Sequence, residues 1–172
     1  MGKKIGIVIV AILVIIQFFR PEKNDSNVQT ASVATKYQLP DDVDQILSVA
    51  CYDCHSNKTN YPWYSNIQPV AWWLDGHIKD GKRHLNFSEF TNAPIAVQNH
   101  KFEETAEVIE HNEMPLDSYT AMGFHKEAHL TEEQKTTLIN WAQSQMDFLE
   151  ANYPADSLKM PRRGGGNPPP RD

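Results

Sequence analysis

Apolar residues crowd the start of the chain and afterwards recur only at helical spacing. Ile5 to Phe19 (IGIVIVAILVIIQFF) is a run of fifteen residues interrupted only by Gly6 and Gln17, with Lys3 and Lys4 in front of it. Beyond Pro40 the pattern changes. Val43, Ile46, Leu47 and Ala50 fall at i, i+3, i+4 and i+7, the apolar stripe of an amphipathic helix that Asp41 or Asp42 can cap. Val70, Trp73, Leu74, His77 and Ile78 share one face of a second helix, which opens at Pro69 and is expected to end near Gly81. Phe102, Ala106 and Ile109 mark a third, over residues 102–112. Leu138, Ile139, Ala142, Met146 and Leu149 mark the last, with Trp141 at its margin. Thr131 and Gln134 are spaced as a capping box at its start. Residues 60–69, rich in aromatics and proline, lack a helical period and are expected to form a loop. Alternation of period two is nowhere sustained, so the domain is expected to be all-α.

The segments between these stripes set the domain limits. Residues 1–20 are expected to be a signal anchor or transmembrane segment, residues 21–40 a flexible polar tether, residues 41–153 the folded domain, and residues 154–172 a disordered tail rich in proline and glycine. Fifteen apolar residues are short of the roughly 20 that a full span needs, though the stems of Lys3 and Lys4 can lengthen the segment by snorkelling. Phe18-Phe19-Arg20-Pro21 supplies no small-x-small cleavage site, which favours a retained anchor over a cleaved export peptide. The two lysines predict a cytoplasmic amino terminus and an exported domain. The 172-residue chain has a formal charge of −6, which argues against nucleic acid and against an anionic membrane surface as partners.

The candidate chemistry is concentrated in five residues. Cys51-Tyr52-Asp53-Cys54-His55 is a Cys-x-x-Cys-His run that uses both cysteines of the chain. This is the attachment pattern of haem c: two thiols add to the porphyrin vinyl groups and the adjacent imidazole becomes an axial ligand of the iron. On one helical turn, positions i and i+3 lie on the same face, so Cys51 and Cys54 can hold one porphyrin edge while His55 turns under the metal. A thioredoxin-like redox pair would need a βαβ pattern around it, and a structural zinc site would need a second ligand pair at short spacing. The scattered histidines at 77, 84, 100, 111, 125 and 129 provide no such pair.

The opposite face of the iron has two principal candidates. Met114 stands in a non-helical stretch, Glu113-Met114-Pro115-Leu116, where the proline stiffens the loop and a thioether can reach the metal. His77 lies on the apolar face of its helix, where it is a rival ligand, a hydrogen-bond donor to a haem propionate, or a satisfied core residue. His111, Met122, His125 and an open site complete the alternatives. The distinction is chemical: methionine and histidine together raise the reduction potential, whereas an open position admits peroxide or a gas.

The stretch from about Gln45 to Ala142 resembles the haem-binding domain family of bacterial c-type cytochromes of the Bacteroidetes type, with a single Cys-x-x-Cys-His. The matching residues are Cys51 to Ser56, Tyr61-Pro62-Trp63-Tyr64, Asn66 to Pro69, His77, Leu85 to Ser88, Glu113 to Leu116, Tyr119, His125, Leu130-Thr131 and Leu138 to Trp141. More distantly the chain is similar to class I cytochrome c. That likeness implies a small helical domain around one covalently attached haem, a Met-Pro loop supplying the sixth ligand, and a proline carbonyl, here that of Pro69, orienting the imidazole of His55. It also implies a terminal helix packed across the first.

Together these readings predict a monohaem c-type cytochrome, anchored in the bacterial inner membrane with its haem domain in the periplasm. It would carry single electrons between protein redox partners. The metal ligands are expected to be His55 and Met114, with Cys51, Cys54, Pro69 and His77 completing the cofactor site. A peroxidase-like enzyme and a gas-sensing haem domain are the alternatives, and both require an open sixth site. Trp63, Trp72 and Trp73 are expected to pack against the porphyrin or fill the core. Glu103, Glu104, Glu107, Glu110 and Glu113 form an acidic face, either plainly solvated or a dock for a basic partner.

Overall fold

The computed structural model describes residues 2–120 and 125–160. Among these residues there are seven α-helices: α1 (Gly2–Ile16), α2 (Asp41–Ala50), α3 (Tyr52–His55), α4 (Val70–His84), α5 (Ile95–Glu110), α6 (Asp117–Thr120) and α7 (Glu132–Asn152). Short 3₁₀ turns link them, and the only extended pairing described is an isolated antiparallel bridge between Asp25 and Lys58. The all-α expectation holds.

α5 and α7 pack along one another and α2 crosses α7, which fixes the core. Leu47, Phe102, Ile109, Leu138, Ala142 and Leu149 are buried there. Burying a side chain of that size stabilises the fold by about 1.5–3 kcal/mol. Trp141, expected at the margin of α7, is inside, where its ring meets Phe102 edge-on and its indole N–H donates to the Gln38 carbonyl at 2.8 Å. The capping box is present: Thr131 Oγ1 accepts from Gln134 N–H, and the Gln134 side chain accepts from Thr131 N–H. Two helices are longer than their stripes predict. α4 runs past Gly81 to His84, and α5 begins seven residues before Phe102, at Ile95. Pro94, placed just before it, suits a helix start.

Residues 21–40 are a strap, not a tether. Asn24 donates through its side-chain amide to the Ser56 carbonyl and Thr59 hydroxyl, its backbone N–H donates to Tyr61, and its Oδ1 accepts from Lys82 Nζ. Val33 and Tyr37 are buried in the core. The Tyr37 hydroxyl donates to Gln98 Oε1 at 2.6 Å, inside a ring cluster with Phe90 and Phe102. The scattered apolar residues of this polar run give no local period, and the burial of Val33 and Tyr37, with Leu39 packed beside them, comes from long-range packing. The beginning of the expected tail is also folded. Ala155–Leu158 is a 3₁₀ turn with Leu158 buried, while residues 161–172 lie outside the described residues.

No helix among the described residues is long and apolar enough to cross a membrane. α1 has 15 residues, none of them buried. Its C-terminal end is held to the domain: Gln17 Nε2 donates to the Gln68 carbonyl, Gln68 N–H donates to Gln17 Oε1, and Gln68 Nε2 donates to the Phe19 carbonyl.

The strap has a direct test. Tyr37→Ala is expected to cost about 3–5 kcal/mol of stability, as for a large buried aromatic. Chemical denaturation measures it, and an unchanged midpoint would restore the free tether.

Candidate functional site

The Cys-x-x-Cys-His run is a helical turn of its own. α2 stops at Cys51, whose φ of −125° leaves helical geometry. The chain re-enters helix at once, with Cys54 N–H and His55 N–H both donating to the Cys51 carbonyl at 3.2 and 2.9 Å. The loop behind closes on Asp53. Its carbonyl accepts from the Thr59 hydroxyl at 2.6 Å, and its carboxylate accepts from Asn60 N–H at 2.8 Å and from the Tyr119 hydroxyl at 2.9 Å. Sequence reasoning passed over Asp53 because it is a variable position of the motif.

α4 lies against this turn at Gly81. A Cβ on Gly81 would stand 2.7 Å from the Cys54 carbonyl oxygen, so no other residue allows the approach without a shift. The glycine expected to end α4 instead lets the helix touch the motif. Beyond α4, Leu85 brings its carbonyl to 3.0 Å from His55 Nδ1. A carbonyl only accepts, so Nδ1 carries the ring proton and the lone pair of Nε2 is left for a metal, the usual arrangement behind a ligating imidazole. Phe87 N–H donates to the His55 carbonyl at 2.8 Å and holds the residue's other end.

The carbonyl that orients His55 is therefore Leu85's and not Pro69's. The Pro69 carbonyl is taken up by the N–H groups of Trp72 and Trp73 in the first turn of α4. Pro69 is the residue before that helix, and it is absent from the walls of the cavity described next.

Cys51, Cys54 and His55 open onto a cavity of about 490 Å³ between α3, α4 and α5. His77, Gly81 and His84 line it from α4, Lys101 and Val108 from α5, and Met114 from the loop that follows. The loop reverses at Asn112, which has φ of 58° in the left-handed region that asparagine tolerates. Glu113 N–H and Met114 N–H then both donate to the Val108 carbonyl. Of the sixth-ligand candidates, His77 and Met114 share the cavity with His55. His111 and His125 do not line it, and Met122 lies outside the described residues. The His125 ring stacks on Tyr119 at 4.0 Å and its Nε2 pairs with the Tyr64 hydroxyl at 2.5 Å, so it buttresses the wall from behind.

Burial dominates the electrostatics. It pushes the Cys51 thiol up to about 12, helped by Cys54, and the Cys54 thiol up to about 11, helped by Asp53. A dithiol redox pair needs a lowered thiol pKa, so these cysteines are unsuited to that role. Both are free. Burial also holds His55 below the ordinary imidazole range, partly opposed by the Leu85 and Gly81 carbonyls, which keeps the ring neutral as a ligand must be. Among the described residues, no group of three or more His, Cys, Asp or Glu could hold a metal ion by itself. Paired thiols beside a neutral imidazole, on one turn at the wall of a half-open cavity, fit a haem in their donor chemistry.

Trp63, Trp72 and Trp73, expected at the porphyrin or in the core, are elsewhere. All three are exposed and none lines the cavity. Only Trp73 comes near, through an edge-on contact with His77 at 4.4 Å.

An all-helical domain with a thiol-bearing turn, an oriented imidazole and a cavity beside them defines a haem-binding protein. Residues 11–144 match the family model described as the haem-binding domain, and the chain belongs to that family. No curated protein and no solved structure matches it.

The contact at Gly81 generates a prediction. Gly81→Ala is expected to cost about 1–3 kcal/mol, as for overpacking at a tight contact, and to lower the haem content. Denaturation and haem quantification of the purified protein measure the two effects, and normal values for both would show that the close approach is dispensable.

Proposed function

We propose that this protein is a monohaem c-type cytochrome that carries single electrons between protein partners on the outer side of the bacterial cytoplasmic membrane. The observation that carries this reading is one cavity shared by the Cys-x-x-Cys-His turn and Met114. Cys51 and Cys54 would hold the porphyrin through thioether bonds. His55 would present Nε2 to the iron, with its proton fixed on Nδ1 by the Leu85 carbonyl. Met114 would offer its thioether from the loop that Asn112 reverses, and His77 is the competing donor.

Bound there, the haem supplies a one-electron ferric/ferrous couple, with a potential raised by methionine ligation. The protein's own work is to keep the ring of His55 neutral and oriented, to exclude water with the walls of α4 and α5, and to keep both axial positions occupied. With both occupied, the site favours electron transfer over peroxide or gas chemistry. Glu107, Glu110 and Glu113 continue from the cavity wall onto the surface and would guide a basic partner to it.

α1 is the proposed attachment to the bilayer. Beyond Ile16 the backbone continues to bond at i→i−3 as far as Phe19. Residues 2–19 thus rise about 27 Å if helical throughout, against a hydrocarbon core of about 30 Å. Lys3 and Lys4 would reach the headgroups at one end.

The test is the absorption spectrum of the full chain, exported in a strain that matures c-type cytochromes. Low-spin iron with the weak thioether–iron charge-transfer band is expected. Met114→Ala should abolish that band and lower the potential, while His77→Ala should leave the band in place. A high-spin spectrum that shifts on adding carbon monoxide would overturn the electron-carrier reading. Low-spin iron without the thioether band would transfer the sixth position to His77.

A further inference from the structure

Three of the chain's four tryptophans lie on the outside of one corner. Trp63 is 70 % exposed, Trp72 43 % and Trp73 44 %, with Ile67 between them in sequence at 45 %. The fourth, Trp141, is in the core. A tryptophan left in water forgoes a large apolar burial, so a cluster of them on one surface calls for a partner.

Two features identify that partner. Residues 59–74 contain no Asp, Glu, Lys or Arg, in a chain where these make up 22 % of all residues. A protein-docking face of an electron carrier is steered by complementary charge. This stretch supplies none of its own, and its nearest charges are basic residues of the preceding segment, Arg20 on the Gln17 carbonyl and Lys23 over the Tyr61 ring, which suit phosphate headgroups. Gln68, in the middle of the stretch, is also the residue to which the end of α1 is hydrogen-bonded. The corner is therefore continuous with the exposed apolar surface of α1 through Phe18 and Phe19, themselves 83 % and 62 % exposed. Exposed indole rings from a stretch without charges, beside the end of an apolar helix, are suited to the membrane–water interface, where a ring with an apolar body and one N–H satisfies both sides.

We propose that the corner formed by Trp63, Ile67, Trp72 and Trp73 seats in the headgroup zone of a phospholipid bilayer and holds the domain against it in one orientation. Trp63, Ile67 and Trp72 enter the lipid, and Trp73 lies at the rim, where it touches His77 and thus the wall of the cavity. The inference rests on the reading of α1 as bilayer-inserted. α1 provides attachment, and the corner provides orientation.

The experiment uses the full haem-loaded chain in phosphatidylcholine vesicles containing photoactivatable lipids. One lipid carries its reactive group at headgroup level and the other deep in the acyl chain, and labels are located by mass spectrometry. Expected is headgroup-level label on Trp63, Ile67 and Trp72, acyl-level label on α1, and none on Phe148, an equally exposed ring on α7. Label on α1 with none on the corner would overturn this proposal and leave the role of α1 standing. Label on the corner alone would support the proposal and remove the role of α1. Absence of label from both would overturn both. Trp63→Ser with Trp72→Ser, both surface changes, should cut labelling of residues 64–74 severalfold with α1 unaffected. Undiminished labelling there would also overturn the proposal.

Discussion

The approach of α4 to the turn Cys51–His55 governs the rest of the structure. With a hydrogen atom in place of a side chain at Gly81, two backbones come to touching distance, and one contact then sets several geometries together. Leu85, one turn beyond Gly81 along the same chain, arrives with its carbonyl at the imidazole of His55. Phe87 follows with its N–H on the carbonyl of His55. The motif residue is thus held at its ring and at its backbone by a single passing segment. Were α4 displaced by the width of a methyl group, the proton on the imidazole would lose its acceptor and the lone pair offered to a metal would lose its direction.

The chemistry of the turn follows from the same enclosure. Desolvation pushes the half-buried thiols of Cys51 and Cys54 toward their protonated form and the half-buried imidazole of His55 toward its neutral form. Neither condition suits a reactive cysteine pair. A neutral imidazole is the form that a haem iron takes as a ligand. Asp53 and Tyr119, both at the cavity wall, join Thr59 and Asn60 in a polar cluster at the turn, in which the carboxylate of Asp53 finds two donors.

Much of this was legible in the sequence, and the division is physical. The stripes of α2, α4, α5 and α7 are local periodic patterns, and the spacing of the five-residue motif points to haem, in agreement with the family match. The orienting carbonyl of Leu85 was not legible, since a backbone acceptor leaves no mark in the residue type. Likeness to a wider group pointed instead to Pro69, whose carbonyl turns out to serve the first turn of α4. Val33 and Tyr37 were missed because a strap is made of isolated anchors with polar spacers, and only the distant groove explains them. The tryptophans were misplaced for the opposite reason: aromatic rings are usually buried, and nothing local distinguishes a ring that faces out. Asn112 lay within the expected third helix, and its left-handed backbone, which ends that helix and brings Met114 to the cavity, became visible only in three dimensions.

The knot at Asn24 limits the range over which the domain can travel. A free segment of twenty residues would let the cofactor sweep an arc of roughly 70 Å at full extension. Asn24 is pinned to Ser56, Thr59, Tyr61 and Lys82, so only residues 17–23 separate that knot from the end of the first helix, a reach of about 25 Å at most. Whatever carries the helix therefore carries the domain as one body. The cavity mouth then keeps a constant height and heading relative to that helix.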